Sequence, residues 1–186
     1  MVVPLEMTGR MIVRGIVGCP VCRREYPIQR GVVRFGAAGA AAEPAAMGAA
    51  SDPEVIWALL GLSGPGGFVV LVGSAARLAR ALAERMGGVH FVGVNAPADV
   101  ECSAVLTLLA HPSTIPLRSS AARGVVLGAG WAREPWVGEG ARVLLGGLRL
   151  VAVADAVSVP GLDQLAAARG MWVGQKSGQE SALSGE

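Results

Sequence analysis

A chain of 186 residues with 52% hydrophobic side chains has material for one domain of ordinary size and a small appendage. Its positive mean hydropathy of +0.51 does not announce a membrane span, because the apolar runs are strand-sized and broken by Arg, Gly or Pro; a spanning helix needs ~18 or more uninterrupted apolar residues. The net charge of +2 hides an asymmetry: six arginines (Arg10, Arg14, Arg23, Arg24, Arg30, Arg34) against Glu6 and Glu25 make residues 1–36 basic by +4, and the remainder is acidic by −2.

The chain opens with MVVPLEMTGR, which lacks the basic, apolar and small-residue succession of a secretory signal. Three cysteines, an odd number, argue against a disulfide framework and fit a reducing compartment, so a cytoplasmic protein is expected. A strand is expected through Met11 to Val17, then a knuckle at Cys19 to Cys22 and a returning strand through Val32 to Phe35. The C-P-V-C spacing suits a metal knuckle, in which two thiolates hold one ion while backbone amides point at the sulfurs. A redox dithiol should follow a strand and open a helix, whereas Arg23 to Tyr26 leads into Pro27. The basic face has no aromatic interleaving beyond Tyr26 and Phe35, so a solvated face is the plainer reading and nucleic acid is not an expected partner.

Residues 37–50, rich in Ala and Gly around Pro44, read as a linker. Ser51 and Asp52 then offer N-caps and Pro53 suits a first helical position, so SDPEVIWALLGL opens a short helix stopped by Gly61 and the SGPGG that follows. Phe68 to Val72 is a continuous apolar run, as in a strand buried on both faces of a parallel sheet. Ser74 suits an N-cap, and Leu78, Leu82 and Met86 give the next helix an apolar stripe that ends at Gly87 and Gly88. His90 to Val94 is the second strand of this βαβ unit. Further strands are expected at Ala104 to Leu109, Gly124 to Leu127, Leu148 to Ala154 and Met171 to Val173, with helices between them, among these Pro135 to Leu144 and a short one from Pro160 through Ala168. Residues 176–186 form a polar tail expected to be disordered.

Two resemblances follow from these residues. CPVCRREYPIQRGVVRF is similar to the second half of the zinc-ribbon segment at the front of many bacterial methyltransferases, also found in small zinc-ribbon proteins that activate methyltransferases. That family carries a first C-x-x-C about where Pro4, Leu5 and Glu6 stand here. FVVLVGSAARLA, together with IPLRSSAARGVVLG and EGARVLLGGLRLVAVA, resembles a class I S-adenosylmethionine-dependent methyltransferase over residues 52 to 175. Glu139, Arg142, Val143, Leu144, Gly146 and Gly147 carry most of that match.

The resemblance implies a three-layer, Rossmann-like α/β domain (51–175) with a mostly parallel sheet, preceded by a degenerate zinc-ribbon-like β hairpin (1–36). It implies S-adenosylmethionine at Gly73, Ser74 and Asn95, zinc at Cys19 and Cys22, and no catalytic residue that can be assigned. It also shows where this chain departs from the family. Val70 stands where the acidic residue belongs, Val72, Ser74 and Ala76 fall on the three glycines, and a shift of one residue recovers only Gly73. Asn95 replaces the carboxylate that accepts from both ribose hydroxyls, or else caps NAPADVE. Arg118 or Ser119 replaces the acidic residue of the loop that flanks the adenine, and the chain after the fifth strand is short for the family's antiparallel hairpin.

Other candidates are few. His90 reads as a core histidine, His111 as a loop residue and Asp155 as a carboxylate with nothing to pair it, while Trp131 and Trp136 either cover the helix and sheet or, if exposed, mark a partner surface. The expected function is a degenerate methyltransferase-like protein acting as a binding or scaffold subunit, with a protein partner or a second copy of itself. The alternative is an active methyltransferase with a divergent cofactor loop. An active enzyme should keep an open pocket above Gly73 and Asn95, and a scaffold should fill it with side chains such as Leu78 or Trp131.

Overall fold

The computed structural model describes residues 1–36 and 52–178; the Ala/Gly stretch expected to be a linker, and residues 179–186 of the expected tail, lie outside it. One mixed sheet of eleven strands runs through the whole of it, in the order β1-β2-β3-β4-β7-β6-β5-β8-β9-β11-β10. The strands are β1 (Val2–Thr8), β2 (Met11–Gly18), β3 (Glu25–Gln29), β4 (Val32–Arg34), β5 (Phe68–Val72), β6 (His90–Val94), β7 (Leu106–Ala110), β8 (Ala122–Leu127), β9 (Leu144–Ala152), β10 (Leu162–Ala168) and β11 (Met171–Lys176). The six from β4 to β9 in this order are parallel, and both flanks are antiparallel. The sheet is therefore mixed, where a mostly parallel one was expected.

The parallel centre is buried on both sides, and the alternation within β5 shows why. Val69 and Leu71 face one core, with Ile56 and Leu60 of α1 (Pro53–Leu60) and Ala79 and Leu82 of α2 (Ala79–Arg85). Val70 and Val72 face the other, with Trp136, Val137 and Val143 of α3 (Trp136–Val143). All four β5 side chains are fully buried, which accounts for a strand with no polar position. α1 begins as its sequence dictates: the Asp52 carboxylate accepts from the Glu54 N–H at 2.9 Å, and Gly61 ends it in the left-handed conformation.

Arg123 of β8 fixes the approach to β5. Its guanidinium donates to the carbonyls of Gly64, Pro65 and Gly66 at 3.1, 3.0 and 2.6 Å through Nη1, and to that of Ser63 at 2.5 Å through Nη2. A glycine-rich loop is thus wrapped around a side chain from a distant strand.

Several expectations are corrected. Pro160 to Ala168 is not helical: β10 occupies Leu162–Ala168 and pairs with β11, so an antiparallel hairpin does follow β9. The small, alanine-rich segment has helical propensity, but β11 offers it a ladder, and a short helix cannot outweigh that pairing. Ser74 does not cap a helix; it lies inside a 3-10 turn, Gly73–Leu78, that leads into α2. Between β6 and β7, and between β7 and β8, the connections are not helical.

The first 36 residues form a four-stranded meander in place of a separate hairpin, with β1 and β3 added to the two strands expected. β3 runs through Pro27, which is tolerated because β4 pairs only with Ile28 and Gln29, so the missing N–H leaves no gap in that ladder. β4 joins the meander to the rest through parallel pairs Val32 with Leu108, Val33 with Leu109 and Arg34 with Ala110.

Candidate functional site

In an open parallel sheet the crevice that takes a ligand lies beyond the carboxyl ends of the strands, where successive connections turn in opposite directions. Here β5, β6 and β7 are laid down one way and β8 and β9 the other, so the switch falls between β5 and β8. The residues that leave those ends are Gly73 and Gly128.

Gly73 is buried with φ of +63°, a conformation that suits glycine. The indole of Trp131 lies directly against it: a Cβ placed on Gly73 would collide with Nε1 and Cδ1 and stand 2.8 Å from Cε2. The turn that delivers this indole is specified by two glycines. The Gly128 N–H donates to the Val72 carbonyl at 3.0 Å, closing β8 onto β5, and a side chain at 128 would meet Ser74 Oγ at 2.5 Å and the Val72 carbonyl at 2.9 Å. Gly130 takes φ of +78°, and the Trp131 N–H donates back to the Gly128 carbonyl at 3.0 Å. Trp131 is 1% exposed and packs edge-on against Trp136, with ring centroids 4.8 Å apart. Both tryptophans are buried and so cover helix and sheet, as in the plainer of their two readings.

Trp131 Nε1 is buried with no hydrogen-bond partner. An unpaired buried donor costs about 1–3 kcal/mol. The indole holds its place by packing, against that cost.

Asn95 follows β6 with φ of +51° and is 6% exposed. Its side chain does not cap NAPADVE. Nδ2 donates to the His111 carbonyl at 2.9 Å and Oδ1 accepts the His111 N–H at 3.0 Å, while its own N–H donates to the Leu109 carbonyl at 2.9 Å. The amide bridges the ends of β6 and β7, and both its polar atoms are engaged by protein. His111 in turn organises the next loop, its Nδ1 accepting from the N–H groups of Ser113 and Thr114 at 3.2 and 3.0 Å. His90, by contrast, is half-buried with Nε2 2.9 Å from Thr107 Oγ1.

The loop after β7, expected to flank an adenine, is tied to α3 by a pair of residues that carried the sequence match. Glu139 accepts from the Ile115 N–H at 2.9 Å and from Arg142 Nε and Nη2 at 2.8 and 2.6 Å. Arg142 donates onward to the carbonyls of Leu117 and Ile115, both at 2.8 Å. The Arg142 hydrogen bonds hold the Glu139 carboxyl below the usual range. Lys176 donates to the Leu144 carbonyl at 2.7 Å, and burial pushes its ammonium below the usual lysine range.

At the positions that the resemblance gives to S-adenosylmethionine, the Trp131 indole stands against Gly73, Ser74 Oγ lies beneath Gly128, and the Asn95 amide is hydrogen-bonded to the His111 backbone. Cys19 and Cys22 lie in the turn between β2 and β3. The Cys19 N–H donates to the Arg24 carbonyl at 2.9 Å, and Arg23 takes φ of +56° to close the turn. Hydrogen bonds from the backbone of Cys22 and then of Val21 lower the Cys19 thiol from its ordinary value. Yet among the described residues no group of three or more His, Cys, Asp or Glu side chains is placed to hold a metal ion. Zinc has two ligands here where a structural site wants four. No helix among the described residues is long and apolar enough to cross a membrane.

Sequence reasoning missed the partners of these groups. The Asn95 amide is taken by the backbone of His111, which leaves no mark in a sequence. The Gly128-x-Gly130-Trp131 turn did leave one, in two glycines ahead of a large aromatic side chain after an apolar strand.

The chain matches no known protein family and no curated protein. Among solved structures it is similar to a geranyl diphosphate methyltransferase in complex with GPP and sinefungin, with 17% identity and a TM-score of 0.44 over 54% of this chain and 43% of that one. It is similar to the complex between the Haloferax volcanii Trm112 methyltransferase activator and the putative methyltransferase, with 19% identity and a TM-score of 0.45 over 53% of this chain and 49% of that one. A putative sarcosine dimethylglycine methyltransferase from Galdieria sulphuraria gives 19% identity and a TM-score of 0.42 over 54% and 44%. The chain spans less than half the length of each.

Proposed function

We propose that this chain is a degenerate methyltransferase-like protein that has given up methyl transfer and serves as a binding or scaffold subunit for another protein. The observation that carries the reading is the indole of Trp131 seated against Gly73 at the switch point of the sheet. A cofactor whose amino acid portion needs close approach to that backbone would have to displace a fully buried tryptophan, which costs about 3–5 kcal/mol of packing. The engaged amide of Asn95 supports the same reading, since a ribose would compete with two backbone hydrogen bonds.

The test is calorimetric titration of the purified chain with S-adenosylmethionine and, separately, S-adenosylhomocysteine, repeated on Trp131→Gly. No heat from the unaltered chain up to millimolar ligand is the expected result. Micromolar binding by the unaltered chain would overturn the reading in favour of an active methyltransferase with a divergent loop, and the methyl acceptor would then be sought.

A further inference from the structure

We propose that the chain binds a small amphiphilic oxyanion in a cavity between the N-terminal meander and the connection from β6 to β7, lined at one end by Asn95. This cavity has a volume of about 690 Å³, inside the ~300–1,000 Å³ range of small-molecule sites. Its origin is plain in the fold. Where a crossover helix would cover the sheet, the chain from Asn95 to Val105 is an open, non-helical strap, and a hollow remains beneath it over β2, β4 and β7.

The lining has two characters. Met11, Val13, Val32 and Leu108 give it an apolar floor. Arg30 and Arg34 are two arginines in the lining, and Glu101 is the one carboxylate there among the described residues. Among the described residues neither arginine takes part in an ion pair.

Two arginines outside any ion pair suit an oxyanion, because its oxygens match the planar guanidinium fork. The adjoining floor would take an apolar body. The site therefore suits a carboxylate or phosphate carried on a hydrocarbon or aromatic frame.

The experiment titrates the full chain with decanoate, decyl phosphate, decanol and inorganic phosphate, followed by calorimetry. One or both amphiphilic anions are expected to bind at least tenfold more tightly than decanol and than inorganic phosphate, and the tighter of the two names the headgroup. Arg34→Gln should cost the anion about tenfold while leaving the affinity for decanol unchanged, and Arg34→Lys should recover part of the loss. Because Cys102 lines the cavity, bound anion should also slow its alkylation in a Cys19→Ser, Cys22→Ser background. No binding of either anion up to millimolar, binding of decanol as tight as that of the anions, or anion binding untouched by Arg34→Gln in a variant with an unchanged melting temperature would each overturn the proposal.

Discussion

The side-chain amide of Asn95 and the backbone of His111 form a two-point clasp, one donor and one acceptor on each side, at 2.9 and 3.0 Å. Only an amide does this. Asn95→Asp keeps size and backbone preference but turns Nδ2 into an oxygen facing the His111 carbonyl. The expected loss is about 2–4 kcal/mol at pH 7, the range for leaving a buried polar group opposed. The introduced carboxyl would have a raised pKa in the fold, so the penalty is absent below the unfolded value of ~3.9, where both states are protonated, and grows as pH rises from there to the folded value. Urea unfolding of both proteins at pH 7 and near pH 4 checks this: the gap between them should narrow in acid.

Gly73 and Trp131 should couple strongly. Gly73→Ala meets both an unfavourable φ and the indole, and should cost about 2–4 kcal/mol; Trp131→Ala leaves a cavity and should cost about 3–5 kcal/mol. In the double variant the collision is gone and part of the cavity is filled, so the total should fall short of the sum by about 1 kcal/mol or more. A double-mutant cycle from chemical denaturation measures this, and simple additivity would mean that the indole does not rest on Gly73.

Acid should loosen the tie between α3 and the loop after β7. The Glu139 carboxyl is depressed below its ordinary 4.5, chiefly by hydrogen bonds from Arg142. A depressed carboxylate contributes stability that is fully present above its unfolded value and is lost as pH falls through the folded one. Glu139→Gln should lower stability by about 1–3 kcal/mol at pH 7 and flatten the dependence of stability on pH below 4.5. Melting temperatures between pH 7 and pH 3 for the two proteins give the comparison.

The Cys19 thiol is lowered by the backbone of Cys22 and Val21 and by the Cys22 side chain. It should be alkylated by iodoacetamide at a lower pH than Cys102. Rates followed by peptide mass mapping from pH 6 to 9 check it, and Cys22→Ala, which removes the side-chain donor but keeps both backbone ones, should shift the Cys19 curve upward only in part.

How much of this could be read beforehand depends on how local the cause is. The limits of β5 and β6, and the caps of α1 at Asp52 and Gly61, follow from runs and residues a few positions apart, and these were legible. Leu162–Ala168 was not, because whether it coils or pairs is decided by β11. The same divide runs through the site. Gly73 and Asn95 were marked by position, but what became of them depended on Trp131 and on the backbone of His111, each contributed from a different strand end. Glu139 and Arg142 were legible as structural residues, although not as the pair that holds Ile115 and Leu117. The parallel seam between β4 and β7 left no local trace, because neither strand carries a signal for the other.

The ring of carbonyls around Arg123 bears on the order in which this protein can assemble. β5 lies inside the parallel set, and four carbonyls of the loop ahead of it are gathered by a residue about sixty positions later. The start of β5 is tied both to Gly88 and His90, nearer in sequence, and to β8, so the loop is fully held only when β8 has docked. The two halves of the sheet, on either side of the switch point, are thereby obliged to condense together, and a fragment ending before Arg123 would hold a central strand with a loose beginning.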